Sequence, residues 1–511
     1  MCGTSPHHSW ITSTPGPEPD SGTDRYPEPS RPFTGNLTNS PTRRLPFRGP
    51  SRADERHRLN VAEPSSNGQG HNCDHGPVSR RPGPRTAIVL AGGGFKAAFE
   101  LGAFRHLAEH HDVVPDVITA TSAGAILGTV AAQARTPAEL LHRLDEADGD
   151  LMAMTQIDVV FGEQPWLREL DGTEAAERIR ALITGGAPDS SGNDEGHHPF
   201  RDAIEVARRL PRAHSASSDP RDRGILNLDP FEAALRGKTD VGVASLDPVC
   251  VARDGLDLRL ATTHYKARAT HYVTGNAELL DSDARTPVAD AGHFDLIDGL
   301  IASASVPGVF PARRLGSSEY VDGGVLANIP LAAAAALDPG RIFTLAASPV
   351  REPAHRAVAQ AAEGLGYLAT QVHNLAVPLP DGCTNTLIQP SMLVVDTFEV
   401  HPGRMRIDID YGWLRAQETV ADLDEGAGPI LSAATDTIIG LRQQAWALEK
   451  QLIEHHDGDL SRLASIKGAI RSALAARSAM GFEAPESAED WGHRWERHTV
   501  ARGDDLPETF D

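Results

Sequence analysis

Short apolar runs alternate with helical segments through the middle of the chain. The runs TAIVLA at 86–91 and VITAT at 117–121 contain β-branched residues and predict two fully buried strands. A tight turn follows each run, and then a segment with helical spacing, at 97–110 and at 123–134. Repetition of strand, turn and helix is typical of an α/β fold. We therefore expect a three-layer sandwich around a central, mostly parallel sheet.

The same pattern predicts further elements toward the C-terminus. The segment 318–330 is typical of a short hairpin that carries Asp322. A helix over 295–315 should end at its prolines, and another helix at 413–423 should close the domain. Residues 430–480 have the spacing of long amphipathic helices. The other predicted strands cover 240–246, 257–265, 269–275, 341–348 and 385–392.

The distribution of proline marks a boundary near the N-terminus. Residues 1–84 hold 14 of the 37 prolines and show no apolar periodicity. Such a segment cannot bury enough apolar surface to offset the entropy lost on ordering. We predict a disordered tail at 1–84, an α/β domain at 85–425 and a helical extension at 426–511. Residues 185–224, rich in Gly, Ser, Asp and Pro, predict a mobile insertion within the domain.

The charge balance narrows the choice of partners. Lys plus Arg number 48 and Asp plus Glu number 70, so the formal net charge is −22. Phosphates of nucleic acid and anionic lipid surfaces both favour a basic protein face. We therefore expect no nucleic-acid partner and no general adsorption to anionic membranes.

Cysteine spacing and hydropathy exclude other classes. The four cysteines lie far apart and form no metal-ligand spacing, so we expect neither a metal nor a cofactor. No stretch reaches the roughly 18 apolar residues of a membrane span, and the N-terminus lacks the pattern of a secretory leader. We expect a cytoplasmic protein that contacts membranes only at their surface.

A serine in a strand-to-helix turn is the first candidate for chemistry. Ser122 is flanked by small residues, with Ala120 two positions before it and Gly124 two positions after it. A nucleophile elbow needs small neighbours because its turn is strained, and it exposes the serine at a helix N-terminus. A serine that only caps the helix fits the same pattern, so the motif alone leaves both interpretations open.

A glycine-rich turn is the second candidate. It follows the first predicted strand and opens a helix, and it reads Gly92, Gly93, Gly94, Phe95 and Lys96. Glycines let backbone amides point at an anion. Three interpretations remain open: a phosphate loop for a nucleotide, an oxyanion hole for acyl transfer, or only a tight connection. The Walker pattern fails because Lys96 is followed by alanine rather than by Ser or Thr.

The third candidate is an aspartate beside two glycines. Asp322, Gly323 and Gly324 follow an apparent strand end, where such residues are usually only turn formers. A serine hydroxyl, however, is a weak nucleophile unless a base accepts its proton, and a tetrahedral intermediate needs donors aimed at its oxyanion. A glycine loop, a serine elbow and an aspartate, in this order, would supply donor, nucleophile and base.

Together these motifs resemble the patatin-like phospholipases. The likeness covers roughly 85–425 and is strongest over 86–135 and 295–348, including IASASVPGVFP at 301–311 and YVDGGVLANIP at 320–330. It implies a patatin-like three-layer hydrolase domain and a lipid or phospholipid ester as the substrate. The reaction it implies is that of a lipid acyl hydrolase of the phospholipase A type.

Carried over position by position, the likeness assigns roles. Ser122 would be the nucleophile, and Asp322 the general base of a Ser–Asp dyad that uses no histidine. With Lys96 beside it, the oxyanion hole would be formed by the backbone amides of Gly92, Gly93 and Gly94. The chain departs from the family pattern at Ala120, which replaces the first elbow glycine, and at Ala97, which replaces the glycine after the basic residue.

Alternatives to this assignment remain open from the sequence. Because Ala97 and Ala120 depart from the family pattern, the chain could be an inactive relative that only binds lipid. Because of its glycine loop, it could instead be a nucleotide-binding protein. One of four histidines could complete a Ser–His–Asp triad instead, namely His264, His271, His293 or His401. A carboxylate base predicts activity that persists below the histidine pKa of about 6.5, whereas an acid limb near that value would favour histidine.

Overall fold

The structure is a computed structural model. It describes residues 83–111, 113–155, 158, 160–169, 171–173, 224–238, 246–252, 254–349, 377–421, 423, 426–456, 458–496, 506–507 and 509–510. The predicted tail at 1–84 and the predicted insertion at 185–224 therefore lie almost wholly outside the described residues, as does most of the predicted strand at 240–246.

Eleven strands are formed within the described residues. They are β1 Thr86–Leu90, β2 Val117–Thr121, β3 Gly162–Glu163, β4 Leu226–Asn227, β5 Asp257–His264, β6 Ala269–Val273, β7 Leu279–Leu280, β8 Arg313–Leu315, β9 Ser318–Asp322, β10 Arg341–Leu345 and β11 Thr384–Ile388.

Thirteen α-helices are formed within the same residues. They are α1 Ala97–His111, α2 Ser122–Ala132, α3 Pro137–Ala153, α4 Pro165–Arg168, α5 Asp229–Leu235, α6 Pro248–Val251, α7 Leu296–Ser303, α8 Gly324–Ala327, α9 Leu331–Ala336, α10 Pro402–Val420, α11 Ala427–His455, α12 Leu460–Ala479 and α13 Ala488–Trp491. None of these helices is both long enough and apolar enough to cross a bilayer.

The central sheet is mixed, with parallel strands at its centre. Strands β11, β10, β1, β2 and β5 lie side by side in that order, and each adjacent pair is parallel. Strands β6 and β7 continue beyond β5 in antiparallel pairing. Strand β9 pairs antiparallel with the end of β5 and with β8. The predicted mostly parallel sheet is confirmed, and its carboxyl edge carries the turns that follow β1 and β2.

Helices cover both faces of this sheet. Ile88 and Leu90 of β1 belong to the main core, which also includes apolar residues of α1, α2 and α10. Ala87 and Val89, the alternate residues of the same strand, pack with Leu331 and other residues of α9 on the opposite face. Because successive side chains of a strand point to opposite faces, the two cores define a three-layer sandwich, as predicted.

Helices α1 and α10 approach each other closely at two glycines. A Cβ atom on Gly102 of α1 would lie 1.8 Å from the backbone oxygen of Ile409. A Cβ atom on Gly412 of α10 would lie 1.9 Å from the backbone oxygen of Phe99. No other residue fits either position without moving a helix. The crossing with α10 therefore fixes the orientation of α1 about its own axis.

The structure corrects three predicted elements. The helix expected over 295–315 covers only α7 and is followed by the separate strand β8. The hairpin is formed by β8 and β9, and the turn between them holds Gly316 at φ +59°. The chain after Asp322 therefore enters the short helix α8 rather than a second hairpin strand. The closing helix begins earlier than predicted, at Pro402, which suits a first helical turn because proline lacks an amide hydrogen.

The C-terminal helices pack against the domain. Ile438 and Ile439 of α11 and Leu463 of α12 belong to the main core. Buried Arg442 of α11 forms an ion pair with Asp410 of α10 at 2.8 Å. These contacts account for the apolar spacing of 430–480 by packing within the protein, whereas the domain boundary at 425/426 stays a prediction.

Candidate active site

Ser122 lies at the turn between β2 and α2 in a strained backbone conformation. Its φ is +54°, in the left-handed region that residues with a side chain rarely adopt, while the preceding Thr121 is extended. The side chain is 8% exposed. A Cβ atom on Gly124 would lie 2.3 Å from the backbone oxygen of Ala91, so the first turn of α2 presses against the chain that leaves β1. The strand-to-helix turn is therefore strained and tightly packed, and its role as a nucleophile elbow stays a prediction.

Ala120 is accommodated although the family pattern has glycine there. It is fully buried in β2, beside Leu90 of β1. Gly128, in the second turn of α2, faces it, and a Cβ atom on Gly128 would lie 3.2 Å from the Ala120 Cβ atom. The extra methyl group thus occupies space that a glycine leaves open across the turn.

A second serine supports the elbow from the other side. The Ser122 amide donates a hydrogen bond to Ser303 Oγ at 3.0 Å, and Ser303 Oγ donates to the backbone oxygen of Ala261 at 2.7 Å. The backbone oxygen of Ser303 also accepts from the Gly323 amide at 3.3 Å. Ser303 therefore joins the nucleophile turn, strand β5 and the aspartate turn. The sequence placed it in the block 301–311 but gave no sign of this role.

Asp322 is the last residue of β9, opposite Thr262 of β5. Its carboxyl is buried, and Oδ1 accepts a hydrogen bond from the Gly324 amide at 2.6 Å. Burial raises the pKa of Asp322 from 3.8 to about 6, while the Ser122 side chain and the Gly324 amide act to lower this pKa by hydrogen bonding. The other oxygen, Oδ2, has no hydrogen-bond partner of ordinary geometry among the described residues.

The Ser122 side chain is thus near enough to influence the buried carboxyl. Two residues some 200 positions apart in the sequence meet because β9 pairs with β5, which lies beside β2. Hydrogen bonds between catalytic groups commonly tighten only when substrate is bound. The arrangement can pass a proton from the hydroxyl to a carboxylate that is more basic than one in water.

The two glycines after Asp322 allow its turn to pack tightly. A Cβ atom on Gly323 would lie 2.3 Å from the backbone oxygen of Ala261. A Cβ atom on Gly324 would lie 2.9 Å from Asp322 Oδ1, the atom that the Gly324 amide binds. Both positions therefore require close approach of the backbone rather than an unusual φ.

The glycine loop after β1 is held by several hydrogen bonds. The Gly92 amide donates to the backbone oxygen of Asn328 at 3.0 Å, and the Phe95 amide donates to that of Thr397 at 3.1 Å. The amides of Gly93 and Gly94, between them, have no acceptor among the described residues. Two of the three predicted oxyanion donors are thus unoccupied, whereas the amide of Gly92 is already used.

Glycine is required in this loop for space and for conformation. Gly94 has φ +59°, and a Cβ atom on it would lie 2.1 Å from the backbone oxygen of Thr397. A Cβ atom on Gly92 would lie 2.5 Å from Asn328 Oδ1 and 3.2 Å from Ser122 Cβ. The loop therefore lies directly beside the serine.

Asn328 connects the glycine loop to the aspartate turn. Its backbone oxygen accepts from the Gly92 amide, and its side-chain Nδ2 donates to the Gly92 backbone oxygen at 3.3 Å. Asn328 follows α8, which begins directly after the aspartate turn. Apart from the residue's place in YVDGGVLANIP, nothing in the sequence indicates this role.

Lys96 and Ala97 complete the loop. Lys96 is buried, and its Nζ atom donates to Ser348 Oγ at 3.0 Å, just beyond the end of β10. Its charge also acts to lower the pKa of Asp408 on α10. Ala97 has φ −61° and ψ −11°, an ordinary helical conformation. The second departure from the family pattern therefore lies where glycine has no conformational advantage.

Aromatic side chains lie next to the glycine loop at Phe95. The ring of Phe161 lies 6.1 Å from that of Phe95, 5.1 Å from that of Phe310 and 6.3 Å from that of Phe398. Phe161 and Phe398 are only partly buried. An apolar surface therefore adjoins the loop on the side of Phe95.

Three of the four candidate histidines have other partners. His271 Nδ1 is hydrogen-bonded to the Tyr320 hydroxyl at 3.0 Å, His264 Nδ1 accepts from the Ala267 amide, and the His401 ring lies against Trp446. Among the described residues, the side-chain and backbone groups that influence the pKa of Asp322 belong to Ser122 and Gly324. The Ser–His–Asp alternative therefore gains no support.

The raised pKa of Asp322 also corrects the predicted pH test. A carboxylate with a pKa of about 6 loses its charge close to the pH at which histidine gains a proton. An acid limb in this range therefore does not distinguish the two kinds of base, contrary to the expectation from the sequence.

Comparison with known proteins identifies the class of domain in this chain. Residues 88–335 match the model of the family described as patatin-like phospholipase, which spans the glycine loop, the elbow and the aspartate turn. Residues 88–335 of the chain are thus a patatin-like phospholipase domain. A search of curated proteins gives no match.

Solved structures with some likeness include two bacterial proteins. VipD from Legionella pneumophila is 12% identical, with 81% of this chain and 83% of that chain covered and a TM-score of 0.26. ExoU from the type III secretion system of Pseudomonas aeruginosa, in complex with SpcU, is 14% identical, with 82% and 76% covered and a TM-score of 0.19. Similarity at this level says nothing about the activity of this chain.

Proposed function

We propose that the chain is a lipid acyl hydrolase that cleaves a carboxylic ester, with glycerophospholipid as the substrate class. One observation carries the proposal. Ser122 is strained at an elbow, and its side chain acts on the buried Asp322 carboxyl, whose pKa is raised to about 6. Strain and a raised carboxyl pKa are both unfavourable for stability, and such features concentrate at active sites.

Attack on the ester would begin at the serine. As Ser122 Oγ forms a bond to the carbonyl carbon, its proton passes to the Asp322 carboxylate. Negative charge develops on the carbonyl oxygen, beside the two unoccupied amides of Gly93 and Gly94 and near the N-terminus of α2. The single donors of such a hole are worth about 3–4 kcal/mol each in known enzymes.

Breakdown of this intermediate would release the alcohol. The ester C–O bond breaks, and protonated Asp322 gives its proton to the departing alkoxide, leaving an acyl group on Ser122. Water then attacks the acyl-enzyme, and Asp322 again accepts a proton. The bond between the acyl carbon and Ser122 Oγ breaks, Asp322 returns the proton to Oγ, and the fatty acid leaves. A base with a pKa of about 6 suits both directions near neutral pH, because the group is mostly ionised and still basic.

Two features favour a lipid ester over a polar one. The partly buried rings of Phe161 and Phe398 lie on the Phe95 side of the glycine loop and offer apolar surface for an acyl chain. The match of residues 88–335 to the patatin-like phospholipase model supports the same class of substrate.

The inactive alternative is disfavoured by the two alanines that motivated it. Ala120 fits against Gly128, and Ala97 has ordinary helical angles, so neither position needs the conformational freedom of glycine. We therefore propose an active enzyme that requires no metal or cofactor for this reaction.

The test is fatty-acid release from mixed phospholipid vesicles. The wild type is expected to release fatty acid, and Ser122→Ala to lose at least 1,000-fold of the rate. Ser472→Ala is a matched control, because this exposed hydroxyl on α12 only bonds its own helix at Gly468. Equal release by the wild type and Ser122→Ala would reject the proposal.

A further inference from the structure

The carboxyl group of Glu100, on helix α1, contacts the start of the glycine loop. Glu100 is fully buried, and its Oε1 atom accepts a hydrogen bond from the Ala91 amide at 2.7 Å. Ala91 is the residue immediately before Gly92, so this contact holds the point at which the chain leaves β1 and enters the loop. The Ala91 amide also points at the backbone oxygen of Leu345, at 3.2 Å.

This carboxyl is unfavourable for stability as it stands. Its other oxygen, Oε2, has no hydrogen-bond partner among the described residues. Burial raises the pKa of Glu100 well above its ordinary value, the Ala91 amide acts to lower it, and the charge of Asp408 on α10 raises it further. One oxygen of the carboxyl is therefore used and the other is unsatisfied. An apolar side chain would be the ordinary choice for such a position on α1.

The framework around Glu100 is rigid. The two close glycine contacts between α1 and α10 fix the rotation of α1, and Gly102 lies only two residues beyond Glu100. The Glu100 side chain is thereby held in place against the Ala91 amide. The remaining loop contacts, at Gly92 and at Phe95, lie on either side of the two unoccupied amides.

We propose that Glu100 is a positioning residue for the ester hydrolysis inferred above. Its Oε1 atom holds the Ala91 amide, so that the amides of Gly93 and Gly94 point at the oxyanion. The role rests on the proposed function. Glu100 itself touches no reacting atom, and acts only through the loop. A displacement of catalytic groups by about 1 Å can cost on the order of 100-fold in rate, so a modest shift of this loop is enough.

Two substitutions separate this role from a structural one. Glu100→Gln keeps an acceptor oxygen, and Glu100→Met keeps the approximate volume but removes the acceptor. Glu109→Met is the matched control, because Glu109 also lies on α1 and accepts a hydrogen bond from Trp413 of α10, at 2.8 Å, far from the loop.

The experiment measures kcat and KM on phospholipid in mixed micelles and the rate of inactivation by a fluorophosphonate, each per folded protein as judged by circular dichroism. Glu100→Gln and Glu109→Met should stay within about twofold of the wild type. Glu100→Met should lose about 10- to 100-fold in kcat and in inactivation rate, with KM within about twofold. Its urea unfolding midpoint should be unchanged or higher.

Several results would overturn the role. Wild-type kcat in Glu100→Met, or an equal loss in Glu100→Gln, would show that the acceptor oxygen does not matter. A lower unfolding midpoint with unchanged kcat per folded protein would assign Glu100 to stability alone. A wild type that neither releases fatty acid nor reacts with the fluorophosphonate would overturn the proposed function and this role with it, whereas an active wild type confines any failure to Glu100.

Discussion

Replacing Asp322 with asparagine is expected to stabilise the protein at neutral pH while it removes activity. The native state binds the Asp322 proton more tightly than the unfolded state does, because burial raises the pKa from 3.8 to about 6. Between these two values the native state therefore holds more protons, and stability falls as the pH rises. Above about pH 6 the unfavourable contribution is complete.

The size of the effect follows from the same values. A tenfold change in proton affinity corresponds to about 1.4 kcal/mol, so the charged carboxylate destabilises the native state by about 3 kcal/mol at pH 7.5. At pH 4.5 the native carboxyl is mostly protonated, and the same calculation leaves about 1 kcal/mol. The neutral Asp322→Asn side chain escapes this penalty and keeps an oxygen for the Gly324 amide.

Urea unfolding of the wild type and Asp322→Asn at the two pH values is the assay. The variant should be more stable by up to about 3 kcal/mol at pH 7.5, and its advantage should shrink by about 2 kcal/mol at pH 4.5. The same variant should lose at least 100-fold in fatty-acid release, since no base remains. A stability difference that does not change with pH would refute the claim that Asp322 is a buried carboxylate with a raised pKa.

Other substitutions test the loop and the elbow. Ser122→Gly should be more stable than Ser122→Ala by about 1 kcal/mol in urea unfolding, because only glycine relieves the left-handed strain; equal stability would contradict the strain. Gly94→Ala should lower kcat at least tenfold and the free energy of unfolding by about 2 kcal/mol or more. Gly440→Ala, in open space within α11, should raise the free energy of unfolding by about 0.5–1 kcal/mol. A Gly94→Ala variant with unchanged kcat and stability would contradict the tight packing of the loop. Ser303→Ala should lower the free energy of unfolding by about 1–3 kcal/mol and should also lower kcat, because the Ser122 amide loses its acceptor. Ser305→Ala should leave kcat unchanged, because the Ser305 hydroxyl donates only to the backbone oxygen of Ile301. Equal effects of the two substitutions on kcat would contradict the role of Ser303.

The sheet could be predicted because its strands carry a strong local signal. Strands β1 and β2 are buried at every position and consist of apolar residues and threonine, as suits parallel central strands. The turn after Asp322 was predicted wrongly, because two glycines between apolar runs are typical of a hairpin turn, whereas the chain enters α8. There the Gly323 backbone packs against β5, a contact that only the folded sheet creates.

The candidate site was predictable in part for a related reason. Ser122, Asp322 and the glycines stand out by residue type at turns that follow strands. Ser303 and Asn328 do not, because their partners lie 181 and 236 positions away along the chain. Glu100 did leave a signal, a carboxylate among small and apolar residues of one helix, but only the structure shows which amide it binds.

The most direct measurement is covalent labelling by a fluorophosphonate, followed by mass mapping of the modified residue. The account predicts a single label on Ser122 in the wild type, labelling at least 100-fold slower in Asp322→Asn, and none in Ser122→Ala, since only an activated serine reacts. Labelling of another residue, or a rate in Asp322→Asn equal to that of the wild type, would contradict the central claim that this aspartate activates this serine.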